Sequence, residues 1–470
     1  MATVVFGLGG ADPELVEKWI EQLPNFQRLM EEGFFGSFNT IEPPITVPAW
    51  MCMFSGREPS DFDAYDFRSP DFEDYTVDVT GSSHFRNRNL IDLSENVISF
   101  RIPGTTPKYP VDGVMVSGFI EGERLDFEPE EIGEEIDREL DTDLEDMEGT
   151  REEKRKIADG NFRKNFDVYR YLLQNRDFDT AFSVFRLIDT HMHNVDSEEE
   201  LKKAYILADR YLGKMIDLVE DSNYNLLVLS DHGSIQTERK LYLNNLLRKK
   251  GFLEYRSREG SLVRKLEERI GSLLVNLGLK KQVKKLLEIY SGITGEDPQH
   301  TQSTILPVLE KSETEAFCYI SGVSRYGVVW IHDDRFSRGI VEDREEKAEE
   351  VIEALEQEEF IEEVSRPGSF TENPEMPDIL VKAERGIVVG AEPYNVNFHR
   401  TSAVVHDERG LIAGLGPGFR AGERVEAGFQ DIAPTIQALG GEVDVSNGRV
   451  LDKILSDEVD YGQDLRDLDI

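Results

Sequence analysis

Cysteine and long apolar segments are both scarce in this chain of 470 residues. The only two cysteines are Cys52 and Cys318, and each lies among apolar neighbours. We expect both thiols to be buried and free, since two such residues do not make a disulfide framework. No apolar run is long enough to cross a bilayer, and the first residues lack the pattern of a signal peptide. A cytoplasmic protein without a transmembrane segment is therefore expected.

Basic residues are also scarce relative to acidic ones. Lysine and arginine total 53 against 93 aspartate and glutamate residues, which gives a formal net charge of -40. A surface this acidic repels a nucleic acid duplex and anionic membranes, so neither is expected as a partner. Because concentrated salt screens such self-repulsion, the composition favours a halophilic source. A length of 470 residues allows one large core or two smaller ones.

The N-terminal segment has the pattern that opens an α/β sheet. Residues 4–8 form an apolar run that ends at Gly9-Gly10, which predicts a buried strand and a tight turn. Asp12 is placed to cap a helix that begins at Pro13. Apolar residues then follow at helical spacing, namely Leu15, Trp19, Leu23 and Phe26. Sheets of this class carry their sites at the C-terminal ends of the strands.

Three later apolar runs also predict strands, at residues 182–188, 226–229 and 411–414. The first run ends at Asp189, with His193 four residues further on, and the second ends at Asp231-His232. His406 shortly precedes the third run. Carboxylates and imidazoles that converge from strand ends are the ligands of a zinc-type hydrolytic centre. The recurrence of this pattern predicts a metal site.

Each of these motifs taken alone has an ordinary explanation. A single Asp-x-x-x-His pair can cap a helix or lie at the surface, and Asp231-His232 can form a salt link at a strand end. His406 can be a solvent histidine, and His399 competes with it as a ligand. His191 is expected to lie outside the ligand set. We favour a metal centre because the motifs occur together.

One hydroxyl lies in a segment that three prolines make rigid. Thr46 follows Pro43-Pro44 and precedes Pro48. Proline fixes the backbone and removes a hydrogen-bond donor. A hydroxyl held close to a cation has a lowered pKa and suits a nucleophile. In isolation the segment would be only a proline turn.

The candidate ligands also suggest a division into domains. The predicted catalytic core comprises residues 1–240 and 376–450, and residues 241–375 are expected to form an inserted cap subdomain. Within the cap, residues 328–331 predict a strand and residues 345–355 a helix. Residues 451–470 form an acidic tail. Residues 202–219 and 431–439 predict helices of the core, and the acidic segment 121–156 predicts an exposed helix or a flap.

The predicted cap contains a basic cluster, made of Arg264, Lys265, Lys280, Lys281, Lys284 and Lys285. The simpler interpretation is a cap helix with a solvated basic face. The alternative is a lid whose cations meet an anionic substrate or a lipid headgroup.

Several ordered motifs resemble the type I phosphodiesterase and nucleotide pyrophosphatase branch of the alkaline phosphatase superfamily. They lie at residues 7–11, 45–50, 112–119, 230–233, 242–244, 431–436 and 448–451. The likeness runs through most of the chain. It implies an α/β fold, a three-layer α/β/α sandwich with a mostly parallel central sheet.

The resemblance also implies a two-metal centre, usually with Zn²⁺; Mn²⁺, Mg²⁺ and Ca²⁺ are the alternatives. The ligands of one ion would be Asp189, His193 and His406, and those of the other would be Thr46, Asp231 and His232. Thr46 would attack phosphorus to form a phosphothreonine, which a water activated at the Asp189 ion would release. The expected function is metal-dependent hydrolysis of a small-molecule phosphoester, with a diester or nucleotide-like substrate favoured. The oligomeric state is not indicated.

Position 9 departs from the family pattern, which has aspartate there as a ligand of the ion that activates the nucleophile. With Gly9, that site loses a ligand and a negative charge. Three explanations are open: a single firmly bound ion, loss of catalysis with the fold kept for binding or scaffolding, or an engineered or erroneous substitution. A sulfatase is not favoured, because Cys52 lacks the proline and arginine pattern that its maturation needs. A phosphoglycerate mutase would have serine in place of Thr46.

Overall fold

The computed structural model describes residues 2–118, 124–256, 305–368, 373–394, 396–441 and 447–461. The chain divides into two compact units. The first comprises Met1–Phe67, Thr80–Ile235 and His406–Ile470, and the second Arg68–Val79 and Gln236–Val405. All the predicted site residues belong to the first unit. The division into a core and an inserted cap at residues 241–375 stays a prediction.

The described residues contain eighteen strands. They are β1 (Thr3–Leu8), β2 (Phe34–Asn39), β3 (Arg68–Pro70), β4 (Val77–Val79), β5 (Val97–Phe100), β6 (Gly113–Val116), β7 (Phe127–Glu128), β8 (Thr180–Phe185), β9 (Asn225–Leu229), β10 (Gly233–Tyr242), β11 (Ala316–Cys318), β12 (Tyr326–Ile331), β13 (Ile361–Ser365), β14 (Ile379–Ala383), β15 (Ile387–Gly390), β16 (Phe398–Asp407), β17 (Arg409–Leu415) and β18 (Glu423–Gly428).

The same part of the chain contains twelve α-helices. They are α1 (Pro13–Lys18), α2 (Pro24–Glu32), α3 (Thr46–Met53), α4 (Ser82–Phe85), α5 (Leu90–Leu93), α6 (Glu130–Ile136), α7 (Arg151–Asn175), α8 (Leu187–Met192), α9 (Glu198–Ser222), α10 (Leu243–Lys250), α11 (Arg344–Glu356) and α12 (Ile432–Gly440). None of these helices is long and apolar enough to cross a bilayer.

The first unit is built on a nine-stranded sheet with the order β18-β2-β17-β9-β1-β8-β5-β6-β7. Strand β1 pairs in parallel with β8 and β9, and β5 pairs in parallel with β8 and β6. Strand β17 runs antiparallel to both β9 and β2, and β7 runs antiparallel to β6. The sheet is thus mostly parallel, as the sequence predicts, and the parallel strands at its centre end on one edge.

Helices cover both faces of this sheet. Successive strand residues point to opposite sides, and every residue of β1 is buried, so both faces need a covering layer. On one face, Val5 belongs to a buried cluster with Trp50 of α3 and Ile436 of α12. On the other face, the ring of Phe6 lies 6.3 Å from that of Phe166 on α7. The result is a three-layer α/β/α sandwich. Gly7 allows one close approach, since a Cβ there would lie 2.7 Å from the Trp50 ring.

The second unit has sheets of its own. Strands β11, β12, β14 and β13 form an antiparallel sheet in that order, and β3 pairs with β4. A three-stranded sheet has the order β15-β10-β16. The strand predicted at residues 328–331 is β12, and the helix predicted at 345–355 is α11. The basic cluster between Arg264 and Lys285 lies outside the described residues.

The helix predicted after Asp12 is interrupted in the structure. The four apolar residues from Leu15 to Phe26 are all buried, but they do not share one helix. Helix α1 ends at Lys18, a 3₁₀ turn spans Ile20–Gln22, and α2 begins at Pro24. Pro24 rules out one continuous helix across this segment, since proline cannot donate to the preceding turn and disfavours a helical backbone at Leu23.

The strand predicted at residues 182–188 ends sooner than expected. Strand β8 stops at Phe185, and Leu187 already belongs to α8, so Asp189 lies in a first helical turn. The acidic segment 121–156 contains α6 and the start of α7; its residues 121–123 lie outside the described part.

Two further expectations concern the thiols and the tail. Cys52 and Cys318 are both buried and are not in a disulfide, as predicted. In the predicted tail, Ile454, Leu455 and Tyr461 are buried in the core cluster of the first unit. Residues 462–470 lie outside the described part.

Candidate metal centre

The first candidate ligand is held at the C-terminal edge of the central strands. The N–H of Gly9 donates to the Phe185 carbonyl at 3.0 Å, and the N–H of Asp189 donates to the Gly9 carbonyl at 3.0 Å. The turn after β1 is thereby tied to the start of α8. Asp189 is 1% exposed, and His193 follows it directly after α8, one helical turn away. Residues four apart on a helix share a face, so both side chains point the same way.

Three of the predicted ligands meet at one point. The Nε2 atom of His193 lies 3.1 Å from Oδ1 of Asp189, and Nε2 of His406 lies 3.5 Å from the same oxygen. The two Nε2 atoms are 3.1 Å apart. Among the described residues, this trio forms a group of donors that could hold one metal ion. A tetrahedron with bonds of about 2.0 Å has edges of roughly 3.3 Å, so the spacing fits Zn²⁺.

Asp231 and His232 lie beside this trio and are both fully buried. They follow β9, as the sequence predicts. The Nε2 atom of His232 lies 3.3 Å from Oδ2 of Asp231 and 4.0 Å from Oδ1 of Asp189. The rings of His232 and His406 stack at 3.6 Å between centroids. The five predicted metal ligands are thus brought together, although they come from three separate segments.

Backbone carbonyls fix the tautomers of two histidines. Nδ1 of His406 lies 2.8 Å from the Pro44 carbonyl, and Nδ1 of His232 lies 2.9 Å from the Gly233 carbonyl. A carbonyl only accepts, so each Nδ1 carries the proton and donates. The lone pair of each Nε2 then faces the carboxylates, which is the orientation that a metal ligand needs.

The buried acceptors of this cluster lack donors. Oδ1 of Asp189, Oδ2 of Asp231 and Nε2 of His232 are buried and have no hydrogen-bond partner. Lone pairs that face one another inside a protein repel, and unsatisfied buried polar atoms are costly. A cation between these atoms would relieve both penalties. The donor set therefore fits a metal ion on grounds of its own chemistry.

Charge and burial shift the pKa values of the two carboxylates in opposite directions, whereas both lower the pKa of His406. Burial alone would raise the pKa of Asp189, but His193 and Arg186 outweigh it and hold that pKa well below its usual range. Burial raises the pKa of Asp231, although His232 partly offsets the effect. Burial and the neighbouring His232 lower the pKa of His406 to about 3, so this ring is neutral at pH 7.

Arg186 is a site residue that the sequence reasoning missed. Its Nε and Nη2 atoms donate to Oδ2 of Asp189 at 3.2 and 3.0 Å. This pairing occupies one carboxylate oxygen and leaves Oδ1 directed at the histidines. The only signal in the sequence was a cation three residues before Asp189, a spacing that places both residues on one helical face.

Gly9 lies against the second group of ligands. A Cβ at this position would be 3.6 Å from Oδ1 of Asp231, 3.6 Å from the Phe185 carbonyl and 3.9 Å from Cβ of Asp189. These are ordinary contact distances, so a side chain fits. The space where the family places a carboxylate is therefore present.

Asp12 does not replace that carboxylate. Its Oδ1 accepts from the N–H of Leu15 at 3.0 Å and its Oδ2 from the N–H of Ser234 at 2.8 Å. The predicted role as the cap of α1 is confirmed. Both oxygens are engaged with the backbone, which leaves Asp12 unsuited to bind an ion.

Thr46 is the first residue of α3 and is 2% exposed. The preceding Ile45 is extended, so the helix begins where the proline-rich segment ends. The contact between the Pro44 carbonyl and His406 ties this segment to the metal-ligand cluster. The positive end of a helix dipole lies at such an N-terminus, where it favours an anion.

The two remaining histidine candidates are engaged elsewhere. Nε2 of His191 lies 2.8 Å from Oδ1 of Asp159, and this histidine is absent from the trio, as expected. The ring of His399 bonds to the hydroxyl of Tyr242 in the second unit.

Comparisons with known proteins identify the family and the fold. The sequence model of the type I phosphodiesterase / nucleotide pyrophosphatase family matches residues 3–405. No curated protein sequence gives a match. Among solved structures, murine ectonucleotide pyrophosphatase / phosphodiesterase 5 is 12% identical with a TM-score of 0.55, and the match covers 97% of this chain and 100% of that chain.

Two other solved structures extend the likeness. Phosphonoacetate hydrolase from Sinorhizobium meliloti 1021, in complex with phosphonoformate, is 12% identical with a TM-score of 0.56; the match covers 92% of this chain and 94% of that one. An inactive threonine-to-alanine variant of the murine protein, in complex with AMP, is 12% identical with a TM-score of 0.51, and the match covers 92% and 93%. These structures support the fold, while the sequence model supports the family. The chain belongs to the type I phosphodiesterase / nucleotide pyrophosphatase family, on an alkaline phosphatase-like fold.

Proposed function

We propose that this protein is a metal-dependent phosphoester hydrolase in which Thr46 is the nucleophile. The observation that carries the proposal is the convergence of three donor atoms, from Asp189, His193 and His406, at spacings of 3.1 to 3.5 Å. Buried acceptors without donors surround this point. Without a cation, this arrangement leaves buried polar atoms unsatisfied, which is costly.

The proposed ligands divide into two sets. Asp189, His193 and His406 would hold one ion, and Asp231 and His232 with the Thr46 oxygen would hold a weaker second one. When bound, the ions supply the positive charge that lowers the pKa of a hydroxyl and offsets charge on the phosphoryl oxygens. Zn²⁺ suits the imidazole-rich first set best, since its donors are mostly nitrogen.

The residues of the chain would then act in sequence. The hydroxyl oxygen of Thr46 forms a bond to phosphorus as its proton passes to water, and the bond from phosphorus to the leaving oxygen breaks on the opposite side. The leaving oxygen takes up a proton from water, so the products of this step are a phosphothreonine and a released alcohol. Water then attacks phosphorus, the bond from phosphorus to the Thr46 oxygen breaks, and Thr46 regains a proton. Arg186 keeps the carboxylate of Asp189 in one orientation throughout.

We propose a phosphodiester or a nucleotide-like molecule as the substrate. The support is the family match together with the two similar structures that contain AMP and phosphonoformate. A cytoplasmic location, a halophilic source and the avoidance of nucleic acid duplexes stay predictions from composition. The alternative function, a family member that binds without turnover, is favoured only by the missing carboxylate at Gly9.

A substrate panel tests the proposal. Hydrolysis of p-nitrophenyl phosphate, bis-p-nitrophenyl phosphate and p-nitrophenyl sulfate is measured with Zn²⁺, Mn²⁺, Mg²⁺ and Ca²⁺ at high salt. We expect turnover of the diester, a loss of at least about 10³-fold in Thr46→Ala, and partial activity in Thr46→Ser. Thr3→Ala is the control. Thr3 is also a buried threonine, but it lies at the N-terminal end of β1, away from the candidate metal centre at the C-terminal end.

Two outcomes would contradict the proposal. Turnover that is equal in Thr46→Ala and in the wild type removes Thr46 as the nucleophile. No turnover with any ion, together with undiminished metal binding, favours the binding function instead.

A further inference from the structure

A cavity of about 60 Å³ lies in the first unit beside the metal-ligand cluster. Its walls come from the end of β8, the start of α8, the residue after β5, the segment before α7 and the middle of α7. A single water needs roughly 10–15 Å³ of such space. The cavity therefore has room for a group of a few heavy atoms.

The lining of this cavity combines apolar and cationic residues. Phe162 and Phe185 are among the apolar ones, and their rings meet edge to face at 5.5 Å. Arg101 and Arg186 also line the cavity. Two guanidinium groups at one small cavity are unexpected in a chain with a net charge of -40, where cations are outnumbered by carboxylates.

Each arginine is held by its surroundings. Arg186 donates from Nε and Nη2 to Asp189, so one edge of its guanidinium group is fixed by the candidate metal centre. Arg101 directly follows β5, and its N–H donates to the Val116 carbonyl at 2.9 Å. Its φ of 56° lies in the left-handed region, which bends the chain where the strand ends.

Two asparagines on α7 also line the cavity, and they differ in their bonding. Asn161 exchanges two hydrogen bonds of 2.9 Å with the backbone of Glu145. Asn165, one helical turn later, has a buried Oδ1 with no hydrogen-bond partner. Since the oxygen and nitrogen of an amide can exchange places by a flip, Asn165 can present a donor to the cavity.

We propose that this cavity binds a compact oxyanion, that is, a phosphate, phosphonate or carboxylate group. Arg101 and Arg186 supply the charge and Asn165 supplies a neutral donor, while the phenylalanine rings supply an apolar surface. Planar guanidinium groups match the oxygens of such anions. The site is distinct from the residues proposed to hold metal, although Arg186 joins the two. It does not depend on Thr46 or on hydrolysis.

Calorimetric titration of the full-length protein with inorganic phosphate tests this site. The titration is run in EDTA at constant ionic strength, so that no ion can hold phosphate at the metal centre, and acetate is titrated in parallel as the carboxylate probe. We expect one phosphate per chain. Arg101→Gln and Asn165→Asp should each weaken binding by at least about tenfold, because each loses a charged or polar partner of the anion.

Three variants serve as controls. Arg210→Gln removes an exposed cation from α9 and should bind phosphate like the wild type. Arg101→Lys keeps the charge and should retain most of the affinity. Thr46→Ala should bind phosphate like the wild type. This control tests the anion site independently of the proposal that Thr46 is the nucleophile. Thermal unfolding of each variant verifies that it is folded.

Several results would overturn the site. One is a wild type that neither anion saturates in EDTA, and another is full affinity retained in both Arg101→Gln and Asn165→Asp. Phosphate binding that appears only with added metal and disappears in Asp189→Asn would assign the anion to the metal centre instead.

Discussion

A carboxylate introduced at position 9 should lower the stability of the metal-free protein. With metal present, it should raise both the affinity for the second ion and the stability. The Gly9→Asp substitution places a carboxylate near Asp231 and Asp189, at a position where a Cβ meets no atom closer than 3.6 Å. Gly9 is not among the glycines with positive φ, so the backbone accepts a side chain without strain. The effect is therefore electrostatic rather than steric.

The magnitude follows from these distances. Two carboxylates roughly 5 Å apart repel by about 3 kcal/mol at an effective dielectric constant of about 20. Without metal, Gly9→Asp should lose stability by up to that amount, and partial protonation reduces the loss. With metal, the same carboxylate becomes a ligand, and affinity for the second ion should rise at least about tenfold. The added binding stabilises the folded state by mass action.

The assay compares Gly9→Asp with two matched variants. Metal content after equilibrium dialysis against Zn²⁺ or Mn²⁺ is measured together with the thermal midpoint in metal and in EDTA. We expect the wild type to hold about one ion per chain and Gly9→Asp about two. Gly9→Asn adds the same shape without the charge and should be intermediate, and Gly9→Ala should match the wild type. Equal metal content in the aspartate and alanine variants would refute the reasoning.

Three other perturbations follow from the same contacts. Asp189→Asn should lower zinc affinity at least about tenfold by dialysis, whereas Thr46→Ala should leave the first ion in place; equal losses would remove Asp189 as a ligand. Asp12→Ala should destabilise the chain by about 2–4 kcal/mol in urea unfolding, because it removes the cap of α1 and leaves the buried N–H of Ser234 without an acceptor. Asp12→Asn should recover much of that loss, and an equal cost for both variants contradicts the assignment. Raising KCl from about 0.15 to 2 M should raise the thermal midpoint, because the net charge of -40 becomes screened; an equal effect of sucrose would show that screening is not the cause.

The sequence by itself determined the elements that carry the site. Apolar runs of strand length predicted β1, β9 and β17, and each was found in the central sheet. Short-range chemistry explains this success, because burial pattern and capping act over a few residues. The same local rules placed Asp12 at the start of α1. They failed from Leu15 to Phe26, where helical spacing continued through Pro24 although the helix did not.

The sequence predicted one shared site for the candidate ligands, but only the tertiary structure decided how far apart their atoms lie and which other residues contact them. His406 is more than two hundred residues from His193, yet the two Nε2 atoms are 3.1 Å apart. The strand order places β1 between β8 and β9, and this juxtaposition brings Asp189 and Asp231 to one edge. The role of Arg186 and the space beside Gly9 were likewise decided there. Such contacts depend on the packing of distant segments, which no local pattern of residues encodes.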